Sequence, residues 1–340
     1  MTDPLDALRR QARYCADAGA PMYAELLARA ADDHRAGGPV ARLLAGRGES
    51  ALALRLLGTV HRLVLEGRAP ELAAHYPTAG GTADPLAAWP AFRAVLVEHE
   101  DEVRAGLADP PQTNEVGRAA ALVGGLLTVA AGTGLPVRLL ELGASAGLNL
   151  RADRFRYNDA YGPADSPVAL PEAWLGGTPP LDADLRIVER LGCDPAPLDP
   201  ADPAARLRLL SYVWPDQPER ARRLRAALEL AARVPATVVR QGAGDFTDGL
   251  EPREGVVTVV WHSVMWMYLP AGERARVSVN LEAAGAAATA TAPFAHLAFE
   301  VRGTGLLYPL TLRLWPGGRT RVLGESPAHG VPVTWSGASS

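Results

Sequence analysis

The amino-acid sequence predicts an α/β fold in which helices cover a mostly parallel sheet after an all-helical N-terminal region. Three observations carry this prediction. Apolar residues recur at helical spacing up to about residue 130, and from Val137 onward short apolar runs alternate with helical segments. Near the C-terminus, apolar and polar residues alternate on both sides of the turn at 316–318, which predicts a C-terminal antiparallel hairpin that closes the sheet.

The composition indicates a globular protein that works on small molecules. The chain has 340 residues, 48% of them hydrophobic, which is enough for a large core in one or two domains. Its net charge is −4 and it contains no lysine, so we expect no basic surface for nucleic acid or for an anionic membrane. The expected partner is a small-molecule substrate, and nothing in the sequence indicates an oligomeric state.

Cysteine usage and the N-terminus predict a cytoplasmic protein. Cys15 and Cys193 lie far apart and lack the paired spacing of a zinc site or a redox motif, as expected in a reducing compartment. Residues 1–13 contain early acids and no apolar segment of the kind found in a secretory signal. The uncharged run 119–137 approaches membrane-spanning length, but its glycines and Pro136 favour a buried helix, a turn and the approach to a strand.

Residues 1–130 are predicted to form a helical region that covers the cleft of the following domain. Leu56, Val60 and Val64 illustrate the spacing of one helix face. Residues 76–85 are rich in Gly, Thr and Pro, which predicts a long loop between two helical halves of this region.

Residues 131–340 are predicted to form a Rossmann-like domain with an insertion near 154–183. The first strand is expected at Val137–Leu142. A helix is expected to begin with Asp216 as its N-cap and to continue along one apolar face. Later strands are expected at 185–188, 237–240, 256–261 and 296–301.

The turn after the first strand carries the functional argument. Glu141 ends the strand, and Gly143, Ser145 and Gly147 follow in a tight turn that we expect to open a helix. Such turns bring backbone N–H groups and a helix N-terminus close to a ligand. The pattern resembles the E-x-G-x-G-x-G loop of class I methyltransferases, with Ser145 in place of the middle glycine. This resemblance implies an S-adenosylmethionine site, which we extend to Asn149.

The same turn has two other interpretations. Residues 143–147 also spell G-x-S-x-G, the nucleophile elbow of α/β-hydrolases, and Asp245 or Asp248 and then His329 follow in the required order. That fold needs several strands before the elbow, whereas the region before Val137 is predicted to be helical. The third interpretation is a turn between strand and helix that has only a structural role.

Acidic residues after later strands fit the cofactor interpretation. Asp245 and Phe246 follow the strand at 237–240 and resemble the acid and apolar residue that border the adenine in methyltransferases. Capping of a helix is the alternative role for Asp245. Asp194 is the best match to the ribose-binding acid after the second strand. Such an acid usually lies about 20 residues after the turn, so the insertion near 154–183 has to account for the greater distance.

Further polar residues are candidates because ligands bind at the carboxyl ends of the strands in open α/β sheets. His262 follows the strand at 256–261 and is the predicted general base. Glu300 lies at the end of the strand at 296–301 and is predicted to orient the substrate. No metal site is predicted. Candidates for lining the cleft, with capping or core packing as the alternative, are Asn114, Glu115, Arg118, Tyr268 and His329.

Six short segments, 112–118, 141–149, 153–157, 214–217, 261–263 and 328–330, together resemble the domain of unknown function 2332 family of mainly actinobacterial proteins. The resemblance covers nearly the whole chain. The family is similar, at a distance, to class I methyltransferases, which implies a methyltransferase-like Rossmann-type sheet but no particular reaction. We therefore expect an S-adenosylmethionine-dependent methyltransferase acting on a small molecule, or a non-catalytic protein of the same fold that binds a cofactor or ligand.

Overall fold

The first predicted strand lies in the interior of a large mixed sheet. In the computed structural model, which describes residues 3–336 except 302 and 304, nine strands form this sheet and two more pair separately. The strands are β1 Val137–Leu142, β2 Arg156–Tyr157, β3 Ala169–Leu170, β4 Trp174–Leu175, β5 Ile187–Asp194, β6 Thr237–Arg240, β7 Val257–Ser263, β8 Phe294–Phe299, β9 Leu307–Trp315, β10 Arg319–Pro327 and β11 Val333–Trp335.

The strand order confirms an α/β fold with a mostly parallel sheet. The order is β4-β11-β10-β9-β8-β7-β1-β5-β6, and the strands from β8 to β6 pair in parallel. The chain moves outward from β1 to β5 and β6, then returns to β7 on the other side of β1. The order therefore reverses between β1 and β7, and this is the position where open α/β sheets bind ligands at the carboxyl ends of their strands.

The C-terminal hairpin is confirmed, although it does not end the sheet. Strands β9 and β10 are antiparallel, and β9 joins the parallel part through an antiparallel pair with β8. Beyond β10 lie β11 and β4, and β4 comes from the predicted insertion. The sequence missed β4 because a strand of two residues, Trp174–Leu175, has no visible alternation.

Helices account for the regular structure before β1, as predicted. The first three helices begin with a proline, at Pro4, Pro21 and Pro39, where the backbone N–H of a helix has no intrahelical partner. The helices are α1 Pro4–Asp17, α2 Pro21–Arg35, α3 Pro39–Leu44, α4 Leu52–Leu65, α5 Pro70–Ala73, α6 Ala88–Glu98, α7 Glu100–Gly106, α8 Ala119–Thr133, α9 Pro203–Ser211, α10 Pro218–Ala231, α11 Ala243–Thr247 and α12 Ala271–Ala286.

The chain divides into two compact units. The first contains the described residues up to Thr113 together with Asp202–Arg222, and the second contains Asn114–Ala201 and the described residues from Arg223 onward. The domain boundary that the sequence suggests, near residue 130, falls inside α8, whose residues belong to the sheet unit.

The first unit has its own apolar core and two buried polar connections. His61 is fully buried, and its ring bonds Thr78 Oγ1 at 2.9 Å and the carbonyl of Ser211 at 3.1 Å. Asp216 accepts a hydrogen bond from the N–H of Met22 at 2.9 Å, at the start of α2. The predicted helix α10 is present, but it begins at Pro218, so the N-cap role predicted for Asp216 is wrong.

Opposite faces of the sheet pack against different helices. Leu140 and Leu142 of β1 belong to a cluster with Val277 and Leu281 of α12. Because side chains alternate along a strand, Glu141 points to the opposite face.

Helix α8 lies close to the sheet. A Cβ atom on Gly125 would lie 2.7 Å from the side chain of Leu297 in β8, so the glycine permits this close packing. The segment Val116–Thr133, which contains α8, is long and apolar enough to cross a membrane by composition, but 72% of it is buried within the protein. It is packed as the core helix that the sequence predicts.

Candidate functional site

The turn that follows β1 lies at the reversal of strand order. Gly143, Ser145 and Gly147 have φ values of 69°, 53° and 66°, so all three adopt the left-handed conformation. This explains why glycine suits the outer two positions, and it shows that Ser145 adopts a left-handed conformation that non-glycine residues rarely take. The predicted sequence of strand and tight turn is therefore present.

The helix predicted after the turn is not an α-helix. Residues Leu148–Arg154 form a 3-10 helix with a non-helical residue at Arg151. In an α-helix the carbonyl of Gly147 would accept the N–H of Arg151. That carbonyl instead receives the Arg151 guanidinium, with Nη1 at 2.7 Å, while Nε of Arg151 bonds the carbonyl of Val234 at 2.6 Å. The turn thus lacks the long helix dipole that the prediction included.

Neighbouring side chains also explain the two glycines. A Cβ atom on Gly147 would lie 2.7 Å from Cγ2 of Val238, and one on Gly143 would lie 3.2 Å from Cβ of Met265. A larger residue at either position would disturb packing before it reached any ligand. Substitutions at Gly143 or Gly147 would therefore test folding rather than ligand binding.

Glu141 is the most unusual charged residue of this region. Its side chain is 3% exposed, and Oε2 has no hydrogen-bond partner among the residues that the structure describes. Burial raises the pKa of Glu141 to about 8, against the opposing effects of the Trp261 side chain and of the positive charges of Arg118 and Arg151. In the sheet, Glu141 is beside Trp261 of β7, and the buried indole of Trp261 interacts with the Glu141 carboxyl group without reaching full hydrogen-bond geometry. Unpaired buried polar atoms are rare and call for a ligand or another explanation.

Asn114, Glu115 and Asn149 are brought together beside the turn. Asn114 Oδ1 accepts the N–H of Leu148 at 2.9 Å, so Asn114 holds the segment after the turn rather than capping a helix. Glu115 caps the short helix Val116–Arg118 by accepting the N–H of Gly117 at 3.0 Å. Asn149 donates to the carbonyl of Glu115 at 3.2 Å, and its buried Oδ1 is a second unpaired acceptor in the described structure.

Arg118 connects the same region to the C-terminal part of the sheet. Its Nε bonds the carbonyl of Ala328 at 3.0 Å, and its Nη1 bonds the carbonyl of Ser263 at the end of β7 at 3.3 Å. The backbone of His329 and Gly330 packs against Gly117 and Arg118 so closely that added Cβ atoms would collide with it. Two of the segments that carry the family resemblance are therefore in contact.

Asp194 positions the turn through its carboxylate. At the end of β5, Oδ2 accepts the N–H of Ser145 at 3.0 Å and Oδ1 accepts the N–H of Ala196 at 2.8 Å. Each carboxylate oxygen already accepts a backbone hydrogen bond. To bind a ribose hydroxyl, the same oxygens would have to accept a further hydrogen bond. Asp194 therefore lies beside the turn and has a structural role there, while ribose binding by Asp194 stays a prediction.

Asp245 and Phe246, the candidates for contacting the adenine, and Tyr268 are more exposed to solvent than the buried residues around the turn. Asp245 lies in α11 after β6, is exposed, and forms an ion pair with Arg276 at 2.7 Å. Phe246 is partly buried against the cluster of apolar residues between α12 and the sheet. Tyr268 is 65% exposed, so the core packing expected for it is wrong. It belongs to the 3-10 helix Trp266–Tyr268, which has no buried residue.

His262 and Glu300, two of the predicted site residues, contact each other on the face of the sheet that α12 covers. His262 Nδ1 lies 2.8 Å from Oε1 of Glu300, and this oxygen also accepts the N–H groups of Met265 and Trp266. The other ring nitrogen of His262 lies 2.9 Å from Nε2 of His296. Both nitrogens of His262 are thus occupied within the protein, and the general-base role stays a prediction that must include His296.

His296 was missed by the sequence analysis. It begins the predicted strand at 296–301 and shares the period-two spacing of Ala298 and Glu300, which place all three on one face. That spacing was the available signal. The residues around His262 and His296 do not form a metal site, because no group of three His, Cys, Asp or Glu side chains in the described ranges can hold a metal ion.

A family model described as an uncharacterized protein conserved in bacteria, the domain of unknown function 2332, matches residues 5–335. The chain belongs to this family. No curated protein and no solved structure matches the chain.

Proposed function

We propose that this member of the domain of unknown function 2332 family binds S-adenosylmethionine at the turn after β1 and transfers its methyl group to a small molecule. One observation carries the proposal. Glu141 has a buried carboxyl oxygen without a partner in the described structure, at the point where the strand order reverses. A buried acceptor of this kind is matched by a ligand that brings a cation or a hydrogen-bond donor.

The ammonium group of the methionine part of S-adenosylmethionine has the required chemistry. It carries a positive charge and three N–H donors, while Glu141 and Asn149 each offer an unpaired buried oxygen. The turn at 143–147 has left-handed conformations at Gly143, Ser145 and Gly147, which bend the backbone sharply after the strand. The strand order β6-β5-β1-β7-β8 is that of a doubly wound sheet. These features support the proposal jointly.

The role of each residue follows from its contacts. Glu141 and Asn149 would hold the ammonium group, and Asp194 would fix the turn through the N–H of Ser145. The cofactor itself supplies an electrophilic methyl group, so the protein has mainly to position the acceptor and to remove a proton where the acceptor loses one. Asp245 and Phe246 stay candidates for the adenine side.

Two other functions are weighed against this one. A non-catalytic binding protein would use the same Glu141 site without an acceptor, and the missing α-helix after the turn makes it the leading alternative. A hydrolase would need an exposed nucleophile and several strands before the elbow. Ser145 is 3% exposed, and in the described part of the chain no strand precedes Val137, so neither feature favours the hydrolase.

The experiment that tests transfer starts from the purified protein and host extract. With methyl-labelled S-adenosylmethionine, we expect label to enter a small-molecule fraction, and we expect S-adenosylhomocysteine to raise the melting temperature of the protein. A raised melting temperature without methyl transfer would favour the alternative function, a non-catalytic binding protein. The absence of both effects at millimolar ligand would reject the cofactor site.

A further inference from the structure

A cavity of about 390 Å³ lies between α12 and strands β7 to β10, on the face of the sheet that carries His262. Its volume falls in the range of pockets that hold small organic molecules. Its walls combine two indole rings with hydroxyl and imidazole groups. The lining includes Trp266, Ser278, His296, Thr311 and Trp315.

The hydrogen bonds fix where the protons lie. Glu300 Oε1 accepts two backbone N–H groups, so the third contact is also a donation, from Nδ1–H of His262. In its neutral form His262 then has a lone pair on Nε2. Only one proton fits between the two Nε2 atoms, which are 2.9 Å apart, so it belongs to His296.

This arrangement leaves Nδ1 of His296 as an unprotonated acceptor. No residue within the described ranges forms a hydrogen bond to this atom, and His296 lines the cavity. Burial lowers the pKa of His296 to about 3, and the nearby His262 and Arg313 act in the same direction because they disfavour a positive charge on His296. His296 is therefore neutral near physiological pH, and a proton that it accepts does not remain on it as an imidazolium.

We propose that the cavity binds a small planar molecule that carries a phenol-type hydroxyl group, and that Nδ1 of His296 takes the proton of that hydroxyl. When the O–H bond breaks, its proton forms a bond to Nδ1 and the electron pair stays on the oxygen as a phenolate. The proton on Nε2 of His296 moves to Nε2 of His262. The product is a neutral His296 and an imidazolium at His262, which the carboxylate of Glu300 stabilises.

The surroundings favour this class of ligand. The lining includes two indole rings, Trp266, which stacks on His262 with ring centroids 5.0 Å apart and planes at 18°, and Trp315, which has the Arg313 guanidinium 4.3 Å over its ring. Aromatic walls of this kind suit an aromatic ligand. The two remaining charged groups of the lining, Glu282 and Arg313, form an ion pair with each other. Their charges offset each other, and the hydroxyls of Ser278 and Thr311 can bond a neutral polar ligand.

The cavity proposal does not depend on the Glu141 site, since the two lie on opposite faces of the sheet. A phenol probe therefore tests the cavity without S-adenosylmethionine, and either proposal can fail alone. The probe is 4-nitrophenol, which becomes coloured when its hydroxyl loses a proton.

The titration is done below the pKa of free 4-nitrophenol, where the free probe is colourless. We expect the wild-type protein to produce the phenolate absorbance, and we expect His296→Phe to abolish it and to weaken binding roughly tenfold or more. His34→Gln, on α2 of the other unit, is the matched control and should behave as wild type. No absorbance change with folded wild-type protein at millimolar probe would overturn the proposal, as would equal absorbance in His296→Phe.

A second measurement remains informative if His296→Phe fails to fold. In wild-type protein labelled with ¹⁵N in its histidine rings, proton–nitrogen correlation spectra report which nitrogen carries the proton. We expect His296 to be neutral, with the proton on Nε2 and none on Nδ1. A proton on Nδ1 of His296 in the free protein would contradict the proposal.

Discussion

Replacing Glu141 with glutamine is expected to weaken binding of S-adenosylmethionine by about two orders of magnitude, since removing one partner of a buried charged hydrogen bond costs roughly 2–5 kcal/mol. Glutamine preserves the shape of the side chain, so packing around the 3% exposed Glu141 changes little. It removes the negative charge that would face the ligand ammonium and adds an N–H₂ group that would repel it. Calorimetric titration of both proteins at pH above 8, where Glu141 is ionised, measures the ratio.

Glu254→Gln is the matched control, because Glu254 is an exposed glutamate that precedes β7. It should bind the ligand as the wild type does. If Glu141→Gln binds S-adenosylmethionine as tightly as the wild type does, Glu141 does not contact the ligand and the site has been placed at the wrong residue.

The same substitution is expected to change how the stability of the protein depends on pH. The pKa of Glu141 is raised from 4.5 to about 8 by burial. Between these values the folded protein holds a proton that the unfolded chain has released, so the free energy of unfolding falls as pH rises through this window. Relative to wild type, Glu141→Gln should therefore gain stability with rising pH, by up to roughly 1.4 kcal/mol for each pH unit.

Chemical denaturation at about pH 5 and about pH 8 measures this difference. Other buried acids with raised pKa values, such as Asp216, are present in both proteins and cancel in the comparison. A constant stability difference across the window would mean that Glu141 is already ionised in the folded protein. The partner that ionises it would then lie within the chain, and the need for a ligand cation would disappear.

The sequence predicted the central part of the sheet well. Strands such as β6 and β7 are short apolar runs between turn signals, and hydrophobic spacing reveals runs of this kind. Strand β5 was placed at 185–188 but spans Ile187–Asp194, because its arginine, glutamate and glycine interrupt the apolar pattern. Strand β4 was missed because two residues carry no periodicity.

The site was predicted less completely, because sequence spacing does not show which groups share a hydrogen bond. His262 and Glu300 were selected because each lies at the end of a predicted strand, but their hydrogen bond was not predicted. His296 lies further inside β8, so the same rule did not include it. The 3-10 geometry after Gly147 depends on the guanidinium of Arg151 reaching a specific carbonyl, and no local pattern encodes that contact.

The most direct test of the cofactor site is calorimetric titration of the wild-type protein with S-adenosylhomocysteine near neutral pH, in two buffers with different heats of protonation. Glu141, with a pKa of about 8, is mostly protonated there and must ionise to hold the ligand ammonium. We predict saturable binding with release of about one proton per site, and binding without proton release in Glu141→Gln. Saturable binding to wild type with equal heats in both buffers, or no binding at millimolar ligand, would contradict the assignment of Glu141 as the cofactor-binding carboxylate.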